Sequence, residues 1–287
     1  MRKIIAKSLI IPPYNNYNIY RGCTHGCIYC DSRSKCYEIN PPFEDITVKV
    51  NAPELARIEL PKKRRKIMVN SGSMCDPYMP IEAELGLSRQ VLEIICEYGH
   101  GAGFLTKNTL AIRDLDIMMK INAKALAVAC FTLTTIDDDL AKKIEPFASL
   151  PSQRLIALNQ FAKAGITTGV WMTPLLPFIT ANIENIKAII AACAKVSVKF
   201  IRIFGIGTTM REGSRDYFYD NLDHLFPGLK QKYQKLYGSN YICLDPNHEL
   251  LEQVFQDECD KVGIAYRNED ISKLYKIPEH NHQLSLF

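Results

Sequence analysis

The chain has no run of about 18 apolar residues, the minimum for a membrane helix. Its first residues, Met1-Arg-Lys-Ile-Ile-Ala-Lys7, interrupt an apolar stretch with Lys7 after three residues, and no small-residue cleavage site follows. Neither a membrane span nor a secretory leader is expected, and the expected location is the cytoplasm. Charge of one sign is also scarce: the net value is only +4, which permits a nucleic-acid partner without arguing for one. Internal repeats are absent. Cysteine, in contrast, is plentiful, with ten residues. In a reducing compartment, clustered cysteines point to metal binding or catalysis rather than to disulfides.

The 287 residues are 47% hydrophobic and 23% charged, ordinary for a globular protein with a sizeable core. Short β-rich runs at 17–20, 66–70, 103–106, 126–133, 166–172 and 198–204 alternate with helical patterns at 88–98, 113–121, 137–145, 152–164 and 182–194. Strand–helix alternation at this spacing predicts βα units on a parallel sheet. Gly99 and Gly165 fall where helices end, and Pro146 closes the 137–145 segment. The expected fold is α/β, a partial (βα)6 barrel of the TIM type. Residues 1–16 would precede it, 17–210 form it, and 211–275 add a small helical extension with helices at 229–237 and 249–262. Residues 276–287 would form a flexible tail.

Tyr20-Arg-Gly-Cys23-Thr-His-Gly-Cys27-Ile-Tyr-Cys30 contains C-x3-C-x2-C just after the first strand, where a parallel α/β sheet places its chemistry. Thiolates are soft ligands that suit an iron–sulfur cluster or zinc. Three cysteines on a four-iron cluster leave one iron open, a catalytic asymmetry. A structural zinc site would need a fourth ligand; Cys36 is the only nearby cysteine, and no second C-x2-C exists.

This motif resembles the signature of the radical S-adenosylmethionine enzymes. The resemblance implies that Cys23, Cys27 and Cys30 hold a 4Fe-4S cluster whose open iron is chelated by S-adenosylmethionine. One electron, from a donor such as a flavodoxin or ferredoxin, then yields a 5′-deoxyadenosyl radical that abstracts a hydrogen atom. Tyr29 would pack near the adenine. Further segments resemble the spore photoproduct lyase-like branch. They are Asp76-Pro-Tyr-Met-Pro-Ile-Glu82, Leu105-Thr-Lys107, Ile112-Arg-Asp-Leu-Asp116, Phe131-Thr-Leu-Thr134, Ile144-Glu-Pro-Phe-Ala-Ser149, Arg154 and Pro174-Leu-Leu-Pro177. The resemblance implies that Lys107 and Thr132, with Thr134 nearby, hold the cofactor carboxylate, and that Ser71, Gly72 and Ser73 meet its amino group. Lys107 and Thr132 end predicted strands and offer a cation and a hydroxyl donor, which agrees. In true spore photoproduct lyases a cysteine near the position of Cys75 returns a hydrogen atom to the product radical. Cys75 is therefore either that donor or a plain buried thiol.

Other features carry less. The basic run Lys62-Lys-Arg-Arg-Lys66 contacts phosphates or is simply a solvated loop. His25 moves a proton or fills its loop. Glu145 and Arg154 pair to brace the barrel or face substrate. Cys96, Cys130 and Cys193 lie among apolar residues and are expected in the core. The terminal Gln283-Leu284-Ser285-Leu286-Phe287 resembles the peptide by which bacterial polymerases and repair proteins bind the sliding clamp. Three functions follow. The first is a radical enzyme repairing a DNA base, recruited to DNA through the clamp. The second is a radical enzyme acting on a peptide or small metabolite. The third is a non-enzymatic zinc-binding adaptor on the clamp.

Overall fold

The computed structural model describes residues 1–39 and 42–278. Six parallel strands form the centre: β1 (Asn16–Tyr17), β2 (Met68–Ser71), β3 (Gly101–Thr106), β4 (Ala127–Thr132), β5 (Thr167–Trp171) and β6 (Phe200–Arg202). Each pairs in parallel with the next, so sequence order is spatial order. Asn16 sits opposite Asn70, Asn70 opposite Gly103, and Gly103 opposite Val128, which aligns one row of side chains across four strands. The expected partial (βα)6 barrel is present. Strand β4 is buried along its whole length and β3 nearly so, which explains why both read as continuous apolar runs.

Helices cover the convex face: α1 (Ala52–Glu59), α2 (Leu87–Glu97), α3 (Leu115–Lys124), α4 (Pro151–Lys163), α5 (Ile183–Lys195) and α6 (His248–Val262), one after each strand. Their apolar sides bury Val91, Ile95, Ile121, Leu158, Ile189 and Phe255 against the sheet. Phe104, Phe131 and Phe161 pack edge-on or tilted at centroid distances of 5.6 to 6.2 Å, and Tyr78 joins Phe104 at 5.2 Å. Among the described residues no helix is long and apolar enough to cross a membrane.

The run at 17–20 divides between two sheets. Tyr17 ends β1, whereas Tyr20–Arg21 turns into a three-stranded sheet with Thr47–Lys49 and Arg2–Ile4. From residue 211 onward the chain is mostly helical, with one added strand. Ile242–Leu244 forms a two-stranded ribbon with Gly207–Thr209, beside helices Ser214–Leu225 and Leu229–Tyr237. Leu251, Phe255 and Cys259 of α6 join the main core, because its apolar face lies against α5. The last helix, α7 (Asn268–Leu274), enters the concave face of the half-barrel. Ile271 is fully buried there with Val128, Cys130 and Phe200, and Leu274 and Tyr275 pack beside it. Burying Ile271 contributes about 1.5–3 kcal/mol.

Candidate active site at the strand ends

The loop after β1 carries Cys23, Cys27 and Cys30. Gly22 lets it leave the barrel: its φ is +82°, and a Cβ there would sit 2.3 Å from the Phe43 carbonyl oxygen. Three backbone bonds then fix the loop. Cys23 N donates to Phe43 O at 3.3 Å, Ile28 N to Ile144 O at 3.0 Å, and Phe147 N to His25 O at 3.1 Å.

The three thiols line a hollow of about 170 Å³ that Gly72, Ser73, Cys75, Asp76, Lys107 and Thr132 also bound. Each comes from the C-terminal end of a strand or the loop just after it, where parallel barrels assemble their sites. Gly72, at φ +94°, passes so close to β3 that a Cβ would lie 2.1 Å from the Leu105 oxygen. All ten cysteines are free. Burial pushes the Cys27 thiol up to about 12 against the pull of Lys107, and burial with the nearby Asp76 charge lifts Cys23 well above its ordinary value. Both stay protonated until a metal displaces their protons. Among the described residues no three His, Cys, Asp or Glu side chains converge as a lone metal ion requires. The three thiols line one hollow and are soft donors of the kind an iron–sulfur cluster takes.

Lys107 is half-buried at the rim, its ammonium 5.7 Å from the Tyr29 ring centroid, and it makes no ion pair among the described residues. Burial alone would lower its pKa. Coupling to the Cys27 thiol, where that thiol ionises, and to the Glu145 carboxylate outweighs burial and holds it above the ordinary lysine value. A charged ammonium without a partner, at the edge of a hollow, is suited to a carboxylate. Thr132 opens onto the same hollow.

Behind the loop lies a buried network that sequence reasoning named only as a possible pair. Arg154 bonds Glu145, and Tyr29 donates its hydroxyl to the same carboxylate. Arg154 also donates to Thr132 O at 2.9 Å and Ser149 O at 2.7 Å. Burial would raise the Glu145 pKa, but the Arg154 and Lys107 charges override it and hold it below the usual carboxylate range. Thr134 does not line the hollow; it is buried with its hydroxyl 3.5 Å from Glu145. It sits two residues beyond the end of β4, where its hydroxyl faces the Glu145 brace behind the loop.

Asp76 is a second hub. It accepts from Thr106 Oγ1 at 2.6 Å, Lys107 N at 2.7 Å and Tyr78 N at 2.8 Å. Its other face lies 3.5 Å from His25 Nδ1, which is also 3.5 Å from Cys23 Sγ. Burial lowers the His25 pKa against the pull of Asp76, so the ring is neutral. Cys75 lines the hollow, and its thiol donates to Tyr20 O at 2.8 Å. Burial pushes its pKa up to about 12.

A larger cavity of about 550 Å³ adjoins the hollow, and Ser73, Leu105 and Trp171 border both. Ser71 lines this cavity instead of the hollow. Asn16, Asn70, Trp171, Arg202 and Tyr275 also line it. None of these five was singled out from sequence, since single residues scattered over four strands and the end of the last helix carry no motif.

A cysteine-lined hollow at the mouth of a partial parallel barrel defines a class of radical-forming enzyme. Residues 17–190 match the family model described as the radical SAM superfamily, and the chain belongs to that superfamily. Its cofactors are accordingly a 4Fe-4S cluster and S-adenosylmethionine. The chain is 27% identical over 240 residues to an uncharacterized protein of Mycobacterium tuberculosis, covering 81% of this chain and 70% of that one. It is 23% identical over 277 residues to the radical SAM Nalpha-GlyT isomerase of Pseudomonas phage M6, covering 92% of this chain and 54% of the phage protein. The fold is similar to spore photoproduct lyase complexed with dinucleoside spore photoproduct, with TM-score 0.65 at 17% identity, covering 92% of this chain and 80% of the lyase.

Proposed function

We propose that Cys23, Cys27 and Cys30 hold the cluster, and that the enzyme acts on a base in DNA, in the repair of a pyrimidine lesion. The observation that carries the first part is that the three thiols and the unpaired Lys107 ammonium line one hollow. Bound together, cluster and S-adenosylmethionine supply a carbon-centred radical that removes a hydrogen atom from substrate. The chain's own residues bind and orient. Lys107 faces the cofactor carboxylate and the Thr132 hydroxyl donates to it. Gly72 and Ser73 meet the amino group, and Tyr29, held by Glu145, forms the wall beside the adenine. Cys75 keeps its proton at neutral pH, as a hydrogen-atom donor must. Donation forms a C–H bond and breaks the S–H bond. One electron from a flavodoxin- or ferredoxin-type donor and one proton then restore the thiol.

The fold likeness to a lyase solved with a dinucleoside lesion supports the DNA reading. The terminal peptide at 283–287 lies outside the described residues. We assign it to sliding-clamp recruitment on its sequence alone.

The test is anaerobic reconstitution followed by product analysis on damaged and undamaged DNA. Release of 5′-deoxyadenosine with a changed base supports the reading. Zinc without iron overturns the cluster assignment. Cofactor cleavage coupled only to a peptide or small metabolite overturns the DNA assignment.

A further inference from the structure

The 550 Å³ cavity is lined from both ends of the sheet, where strand Ile10–Ile11 pairs outside β1 at one edge and β6 forms the other. Each edge carries an exposed aromatic ring that lines the cavity: Tyr14 is 76% exposed and Phe204 is 62% exposed. Both rings border the one cavity, and exposed rings there offer stacking surfaces to a base. Beneath Phe204, the Arg202 guanidinium lies 5.9 Å from the Phe204 centroid and 5.9 Å from that of Trp171. Trp171 and Phe204 meet edge-on at 5.2 Å. Among the described residues the cavity wall holds no carboxylate, and Arg202 makes no ion pair. Asn16 and Asn70, paired across β1 and β2, supply amides to the wall.

The basic run at 62–66 precedes β2 and lies at the Tyr14 end of this cavity. Lys63 Nζ donates to Asn15 Oδ1 at 3.2 Å, which ties the run to the residue beside Tyr14. Lys62, Arg64, Arg65 and Lys66 are exposed. The molecule as a whole carries little net charge, so this grouping of cations beside an aromatic lip is local.

We propose that this lip is a binding surface for single-stranded or locally opened DNA. The exposed cations hold phosphates, Tyr14 and Phe204 stack on bases, and one nucleotide enters the cavity, where Arg202 and the two asparagines meet it. The proposal rests on the DNA reading above and names the surface that reading lacks. Cations along a backbone track and aromatic faces for bases are the chemistry that single strands require. An acidic peptide would use the cations but leaves the opposed rings without a role.

The test measures binding of a fluorescent single-stranded oligonucleotide to the reconstituted full chain over a salt series. Tyr14→Ala and Phe204→Ala are each expected to weaken binding about tenfold. Joint replacement of Lys62, Arg64 and Arg65 by Gln is expected to flatten the log–log salt slope by roughly 2. Iron content checks that each variant is folded. If the parent binds DNA and all these variants bind equally, the lip is refuted while the DNA reading stands. If the parent binds no DNA, or binds only an acidic peptide, both fall.

Discussion

At the scale of single residues, the strongest constraint is the buried Glu145–Arg154 pair with Tyr29 on its other side. A buried charge that loses its partner costs about 3–5 kcal/mol, so Arg154→Met should lower the melting temperature sharply and loosen the cluster loop through Tyr29. Because the Glu145 pKa is lowered, its contribution is complete above the ordinary carboxylate value and lost as pH falls through the lower folded value. Melting temperature against pH should therefore drop in acid for the parent and less for the Glu145→Gln, Arg154→Met double variant. At the rim, Lys107→Ala should weaken S-adenosylmethionine binding by about 1.5–3 kcal/mol, measured by equilibrium binding to the reconstituted protein. Unchanged affinity would remove Lys107 from the cofactor site. Lys107 and Thr132 were legible because each ends an apolar strand with a polar group. Asp76 matched a family segment, yet its role as a hub was invisible, since its partners Thr106 and Lys107 lie some thirty positions on and meet it only when β2 and β3 pair.

Among elements, the central strands were readable for a physical reason: helices cover one face and side chains fill the other, so β3 and β4 are apolar throughout. The short N-terminal strands, two or three residues each, are too brief to show any period. Helix α7 was missed because its one buried residue, Ile271, and the partly buried Leu274 sit in a mostly polar sequence. Its packing makes a clear prediction. Ile271→Ala should cost about 2–5 kcal/mol and, by freeing Tyr275 from Cys130 and Phe200, widen the cavity. Thermal melts and accessibility of Cys130 to a thiol reagent measure the two effects. Gly72→Ala should likewise destabilise the protein, because φ +94° and the Leu105 oxygen both oppose a side chain.

For the whole molecule, anaerobically purified protein should carry close to four irons per chain, and Cys23→Ala, Cys27→Ala or Cys30→Ala should each remove most of its colour. A labelled peptide spanning 280–287 should bind purified sliding clamp with micromolar-class affinity and lose binding when Leu286 and Phe287 are deleted. No saturation at high micromolar clamp would refute recruitment. The strand order also has a bearing on biosynthesis. The three thiols lie within residues 23–30, but Ser272 and Tyr275 of the cavity wall come from the α7 region, made much later in the chain. A chain that has not yet made α7 thus presents the three thiols beside an unsealed chamber. Cofactor insertion that waits for the finished chain would spare the cell a reactive centre open to water and oxygen.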